Sequence, residues 1–475
     1  MLRKKILFID PPTGLFIRED RCQAPVQYIG VTTMRPPIES AYLAAVLEKS
    51  GSVCYMRDYS AERKEWKDFE HDLILLKPDM LIINTTTPTI DNDMHAAFLA
   101  KRLEPDILTV GKGAHFLVLD GDVLEKYSEL DVVIRGEGEI TVAELAKGND
   151  FKVIDGITYR DRKGQGIIRN RNRVFIENLD SLPFPARHLM NNKLYVRLDT
   201  GQQQTTIQAG RGCPYGCIFC LASKLSGKKV RLRSPDNICA EIELCLEQNI
   251  RNFFLRADTF TYNKDWVINV CKEIIKRNLK INWVCNSRAD TIDEAMLDAM
   301  KESGCYAVTV GIESGNQESL DKMKKGITLD QITRGVRLYR KKKIFVDGYF
   351  LTGFPWDTEK TIRDSIDFAI KLDLDAADFH IAYPFPGTDL FELGLHHGLF
   401  ERRKLAGTKP YAEAVMQLGA FTSQELEDWR RKMFRAFYLR PKYIIRIIIK
   451  FGHPGTFLNC LRVGLHIFLR IINPK

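Results

Sequence analysis

The sequence predicts an α/β protein: a Rossmann-like, doubly wound parallel sheet, then a partial (β/α)6 barrel, then a helical C-terminal tail. Three observations predict it. Strand and helix signals alternate through the first 150 residues, the alternation restarts near Gln203 for six β/α units, and residues 401–475 carry helical signals. Alternation of this kind builds parallel sheets, because each strand returns through a crossover helix. The expected units are 1–150, a connector over 151–195, the barrel over 196–400 and a basic amphipathic tail over 401–475.

In order, residues 5–10 (KILFID) form a short apolar strand stopped by Pro11 and Pro12, and 40–50 have helical spacing up to Gly51. Strands are expected at 53–57, 80–85, 107–110 and 132–135, with a helix at 91–103. In the connector, two β-like runs (156–159 and 174–177) flank a turn at Lys163-Gly164, and Leu182-Pro183-Phe184-Pro185 reads as surface chain. The barrel strands are expected at 204–209, 252–257, 281–286, 306–312, 345–351 and 377–381. Helices at 236–248, 266–276, 292–303, 329–339 and 359–372 separate them. The tail opens on Thr422-Ser423-Gln424-Glu425, the pattern of a capping box.

The 475 residues suffice for two or three domains, and 45% hydrophobic with 28% charged residues is a globular composition. No run of about 18 uncharged apolar residues suggests a spanning helix, and the N-terminus does not read as a signal peptide. Eleven irregularly spaced cysteines fit a reducing, cytoplasmic setting rather than a disulfide framework. The net charge is +9, yet Trp429 to Lys475 holds eleven Lys and Arg and no Asp or Glu. Subtracting eleven leaves about −2 for the remainder, so the basic character belongs to the tail.

The sharpest local signal is GCPYGCIFC at 212–220, a C-x3-C-x2-C loop directly after the first barrel strand. Cys213, Cys217 and Cys220 supply three thiolates within eight residues. Structural zinc takes four ligands, usually as two separated pairs, whereas an iron–sulfur cube with three protein ligands keeps one iron open. Phe219 is placed to shield such a cube from water. Zinc and coincidence stay open as alternatives at this stage.

A C-x3-C-x2-C loop in this position resembles the radical SAM superfamily. The resemblance implies a 4Fe-4S cluster on the three cysteines and S-adenosyl-L-methionine on its open iron, cleaved reductively to a 5′-deoxyadenosyl radical. It implies further contacts to S-adenosyl-L-methionine from Asp258 in FFLRADTFT, from Arg288 in NSRAD to the carboxylate, and from Glu313 in VGIESG to the ribose. Gly353-Phe354-Pro355 and Pro384–Thr388 match later turns of the family. As isolated residues, Asp258 also reads as a helix cap, and Arg288 and Glu313 as surface ion-pair residues.

With the N-terminal α/β unit, residues 1 to 390 resemble the cobalamin-binding branch, which includes the anaerobic Mg-protoporphyrin monomethyl ester cyclase and hopanoid-biosynthesis proteins. The resemblance implies cobalamin at Thr85, Thr86, Gly111, Gly113, His115, Gly136, Glu137 and Gly138, with glycines admitting the macrocycle. The D-x-H-x-x-G cobalt-ligating signature is absent, so His115 is not expected to bind cobalt. A non-binding unit that only helps hold substrate is the alternative. The run Arg18-Glu19-Asp20-Arg21-Cys22 lines a substrate cavity or lies in solvent.

In the tail, Lys442, Arg446 and Lys450 share a helical face beside an isoleucine-rich one, and residues 457–472 repeat the pattern after Gly452-His453-Pro454-Gly455. Such helices lie on membrane surfaces, pack as caps on a barrel, or form a dimer face. The expected function is C-methylation of an unactivated carbon, of a hopanoid-type polycyclic lipid or isoprenoid, with a flavodoxin or ferredoxin as reductant and peripheral membrane contact. Oxidative cyclisation, tRNA methylthiolation and a non-catalytic iron–sulfur role are the rivals. No catalytic acid or base is assigned, and nucleic acid is not an expected partner.

Overall fold

A computed structural model describes residues 3–19, 22–25, 34–161, 166–197, 200–400 and 421–450. The first unit holds β1 (Lys5–Asp10), the hairpin β2 (Phe16–Glu19) and β3 (Cys22–Pro25), then β4 (Val53–Asp58), β5 (Met80–Asn84), β6 (Leu108–Lys112) and β7 (Val132–Ile134). Two more strands, β8 (Ile157–Asp161) and β9 (Gly166–Arg169), complete a seven-stranded sheet of order β4-β1-β5-β6-β7-β8-β9. The strands from β4 to β7 are parallel, and β8 and β9 add antiparallel at the edge. The segment expected as connector therefore continues the first sheet to Arg169. Its second β-like run at 174–177 is not a strand.

Period-2 alternation explains why β1 and β5 are apolar throughout. Ile6, Phe8, Met80 and Ile82 face one core with Leu43 and Leu47, whereas Leu7, Ile9, Leu81 and Ile83 face the other with Phe69, Leu73 and Leu99. The strand order reverses between β1 and β5, where α/β sheets place their ligand crevice. Arg18 of the hairpin β2–β3 occupies that point. It donates to both Asp93 carboxylate oxygens and to the Asn84 carbonyl, all at 2.9 Å, and Asn84 donates to Asp10 at 2.7 Å.

Asp58, 5% exposed, ends the neighbouring strand. It accepts from the Ala61 N–H and the Tyr195 hydroxyl, both at 2.9 Å. Burial, reinforced by the nearby Asp10 carboxyl, pushes Asp58 up to about 7. A carboxyl that keeps its proton longer folded than unfolded loses stability for the fold as pH rises from about 4 to about 7. Asp58→Asn retains an acceptor for Ala61 and flattens that decline. The check is the unfolding midpoint at about pH 5 and about pH 8; parallel wild-type and variant profiles would contradict it.

The second unit is a six-stranded parallel sheet in sequence order: β10 (Gln204–Gln208), β13 (Asn252–Arg256), β14 (Asn282–Ser287), β15 (Cys305–Glu313), β16 (Phe345–Thr352) and β17 (Ala376–Ile381). The short pair β11 (Gly210–Arg211) and β12 (Arg231–Leu232) brackets the cysteine loop. Helices cover the outer face, with Val267, Val270 and Ile274 of one and Ile332, Val336 and Tyr339 of another in a common core with the strands. Their starts are written locally: Thr328 and Thr358 each close a capping box.

The open edge of a partial barrel exposes backbone groups, and the tail covers them. Thr422 and Glu425 cap the helix Ser423–Tyr438 as expected, and the Tyr438 hydroxyl accepts from Ala377 N–H at 3.0 Å and donates to its carbonyl at 2.9 Å. The next helix, Pro441–Lys450, also packs on the barrel: Tyr443 donates to the Asp375 carbonyl and Arg446 to the Asp373 carboxylate, each at 2.8 Å. This corrects the expected cationic face, because Arg446 is spent on the barrel while Lys442 is exposed. The Lys450 side chain and residues 451–475 lie outside the described residues.

Candidate active site

The cysteine loop is tied down at both ends. Gly212 has φ +97°, and a Cβ there would press into the Lys229 carbonyl, so the entry is open only to glycine. Its N–H donates to Asp258 Oδ2 at 2.6 Å, and Cys213 N–H donates to the Gly227 carbonyl at 3.0 Å. Further along, Ile218 N–H donates to the Met323 carbonyl, and the Ile218 carbonyl accepts from Leu390 N–H. Cys213 is buried and Cys217 and Cys220 are half-buried; none of the three is in a disulfide. Burial pushes the Cys217 thiol up, opposed by the Lys325 ammonium, and the Cys213 thiol lies within its electrostatic reach. Phe219 meets Phe354 edge-on with centroids 6.1 Å apart, on the apolar side of the loop. Three thiols on one half-buried loop are the donor set that a 4Fe-4S cluster takes. Among the described residues no three His, Cys, Asp or Glu converge as the ligands of a single ion would.

Of the residues expected around S-adenosyl-L-methionine, Asp258 serves the loop, through Gly212. Arg288 is held elsewhere: its guanidinium forks onto Asp290 with two bonds of 2.9 Å, donates to the Lys325 carbonyl at 3.1 Å and lies 3.8 Å from the Tyr215 ring centroid. A ligand carboxylate would compete with Asp290 for that fork. Glu313 ends β15 at φ +69°, a left-handed conformation costing a non-glycine residue about 1 kcal/mol. It is paired at 2.6 Å with Lys325, which is 6% exposed. Gly311 leaves room for this pair, since a Cβ would collide with both partners. Sequence reading passed over Lys325, although it is the cation beside Cys217.

The expected cobalamin residues divide into two groups. Gly136, Glu137 and Gly138 line a cavity of about 60 Å³ between the two sheets, with Gln208, Arg211 and Asp258 on its barrel side. A Cβ on Gly136 would meet only open space. Thr85, Thr86, Gly111, Gly113 and His115 do not line it. The Thr85 hydroxyl donates to the Lys112 carbonyl at 2.9 Å, and Thr86 bonds Thr89 at 2.7 Å. Gly111 makes room for the Phe116 ring, and Gly113, at φ +146°, for the Thr85 carbonyl. Here the glycines serve internal packing. His115 is wholly buried, its Nδ1 3.3 Å from Thr87 Oγ1 and its Nε2 unpartnered, and burial pulls it down to about 4.

Charge holds the two units together around the cavity. Glu137 accepts from Arg231 at 2.7 and 3.0 Å and from Ile176 N–H at 2.8 Å, and lies 3.5 Å from Arg211. Glu139 pairs with Arg211, the residue before the cysteine loop. Glu39 pairs with Arg256 at 2.6 Å and Lys112 at 3.5 Å; despite its burial these cations hold its carboxyl down to about 2. Arg18 and Glu19 line an adjoining small cavity of about 10 Å³ with Arg35 and Arg256. Of that charged run, Arg18 and Glu19 form buried cavity wall, and Asp20 and Arg21 lie outside the described residues.

Residues 207–369 match the Radical SAM superfamily and residues 31–146 match the B12 binding domain. Along 470 residues the chain is 34% identical to an uncharacterized methyltransferase of Pyrococcus horikoshii, covering 97% of this chain and 98% of that one. The chain belongs to the radical SAM superfamily. Within it, the chain falls in the branch with a B12-binding domain. This radical SAM enzyme is also 28% identical over 455 residues to the anaerobic magnesium-protoporphyrin IX monomethyl ester cyclase of Rubrivivax gelatinosus, covering 90% and 81% of the two chains. Its fold is shared with the radical S-adenosylmethionine methyltransferase TsrM of Kitasatospora setae, at TM-score 0.69 and 19% identity, covering 91% and 85%. Its cofactors are a 4Fe-4S cluster, S-adenosyl-L-methionine and cobalamin. No helix among the described residues is long and apolar enough to cross a membrane.

Proposed function

We propose that this enzyme is a cobalamin-dependent C-methyltransferase acting on an unactivated carbon. One observation carries the reading: a single cavity has Gly136–Gly138 of the cobalamin unit on one wall and Gln208, Arg211 and Asp258, next to the cysteine loop, on the other. When bound, the cluster supplies the electron that breaks the sulfonium and cobalamin carries the methyl group. The chain's own part is positioning. Asp258 and Arg211 fix the start of the cluster loop, Lys325 sets a positive charge beside Cys217, and the carboxylate–arginine pairs hold the two units in one register. The full-length likeness to a methyltransferase supports methyl transfer. The likeness to a cyclase supports oxidative cyclisation as the second reading.

A hopanoid-type polycyclic lipid, the substrate expected from the tail, is the finer reading. Exposed Ile444 and Ile445 beside Lys442 support peripheral membrane contact. The commitment of Arg446 to Asp373 weakens it. A flavodoxin or ferredoxin as electron donor completes the proposal. The test is anaerobic purification with iron, sulfide and cobalt analysis, then incubation with methyl-labelled S-adenosyl-L-methionine, reductant and candidate acceptors. Stoichiometric cobalt and a labelled, methylated acceptor are expected. An acceptor that loses hydrogen without gaining label would favour the cyclase reading, and protein that takes up no cobalamin would sink the proposal.

A further inference from the structure

We propose that the barrel lumen recognises a cationic amine on the substrate through the carboxyls of Asp347 and Asp378. The inference rests on the reading of the barrel as the place where the methyl acceptor binds. On β16, Val346 and Phe350 belong to the outer core, and on β17 so do Ala377, Phe379 and Ile381, with Phe379 against Phe434 of the covering helix. Alternation turns Asp347, Tyr349, Asp378 and His380 to the opposite face, the lumen. The register pairs Asp347 with Ala376 and Tyr349 with Asp378, which makes the two carboxyls diagonal neighbours on that face. The Tyr349 and His380 rings stand 5.4 Å apart above them. Asn286 and Thr309 are in register with Asp347 on the next two strands, so the row across the lumen is polar.

This pair lacks what a buried carboxylate pair needs. Asp347 Oδ1 is buried without a hydrogen-bond partner, and Asp378 is 2% exposed. The chain's own cations around the lumen are engaged elsewhere: Arg256 by Glu39, Lys325 by Glu313 and Arg430 by Glu427. Burial holds the neighbouring His380 down at about 4, so it brings no charge. The same burial raises both carboxyls, Asp378 to about 6. An ammonium group offers up to three N–H donors and one compensating charge.

The test titrates the full-length chain with 2-phenylethylamine, 2-phenylethanol and 3-phenylpropionate, reading the unfolding midpoint. Only the amine is expected to raise the midpoint saturably, and Asp347→Asn/Asp378→Asn is expected to weaken it about tenfold or more. Equal stabilisation by the alcohol, or undiminished amine binding by the double variant, would overturn the proposal. Should the double variant fail to fold, Asp347→Asn alone serves, since its Oδ1 has no bond to lose. Amine binding needs neither iron nor cobalt, so its result stands apart from whether the enzyme transfers methyl groups.

Discussion

Replacing any one of Cys213, Cys217 or Cys220 with Ala is expected to leave a folded chain that no longer assembles its 4Fe-4S cluster. Each thiol sits on a loop anchored by Gly212 N–H to the Asp258 carboxylate, Cys213 N–H to the Gly227 carbonyl and Ile218 N–H to the Met323 carbonyl, while Cys220 Sγ accepts a long bond of 3.5 Å from Ala222 N–H. Truncation to Ala removes a small apolar group from a buried or half-buried site, at a cost of about 1 kcal/mol. The cluster loses far more, because three protein ligands already leave one iron open and two do not hold a cube. The measurements are iron and sulfide content after anaerobic reconstitution, with the unfolding midpoint of the apo-protein beside them. A variant that keeps a full complement of iron would remove that cysteine from the ligand set. Loss of the fold itself would show the loop to be structural first.

The second large effect is expected at Glu137. Glu137→Ala strands Arg231, whose side chain is 3% exposed, and loosens Arg211 directly before the cysteine loop. Breaking one side of a buried ion pair leaves an uncompensated charge and costs about 3–5 kcal/mol. Replacing both partners, as Glu137→Gln with Arg231→Met, is expected to cost less than Glu137→Ala alone, because no charge is stranded. Denaturant unfolding reads the difference. Glu177→Ala is the control: Glu177 and Lys229 are more than 60% exposed, so the midpoint should not move. A Glu137→Ala loss no greater than that of Glu177→Ala would mean that water, not Arg231, satisfies the carboxylate.

Much of the architecture was readable before the structure because its causes are local. Six barrel strands and their helices follow from hydrophobic period, and Thr328, Thr358 and Thr422 mark helix starts through bonds spanning three residues. The cysteine loop was readable for the same reason, being nine residues of chain with its turn-forming glycines inside it. The glycines of the first unit show where such reading stops. Gly111, Gly113 and Gly136 look alike in sequence, yet two make room for Phe116 and Thr85 and only the third faces open space. Arg288 carried the right chemistry for a carboxylate, but Asp290, two residues on, already takes its fork.

By itself the sequence determined the order of elements, the three thiols on one loop and the succession of a doubly wound unit and a barrel, because hydrophobic period, caps and short motifs act within a few residues of chain; cobalamin entered through resemblance to a family. Tertiary structure alone decided which charges meet. Glu39 with Arg256, Glu139 with Arg211 and the lumen neighbours Asp347 and Asp378 are joined by strand register and packing across distant stretches of chain. Their energies come from burial, where a charge is costly unless a partner stands beside it, and burial is a property of the assembled fold.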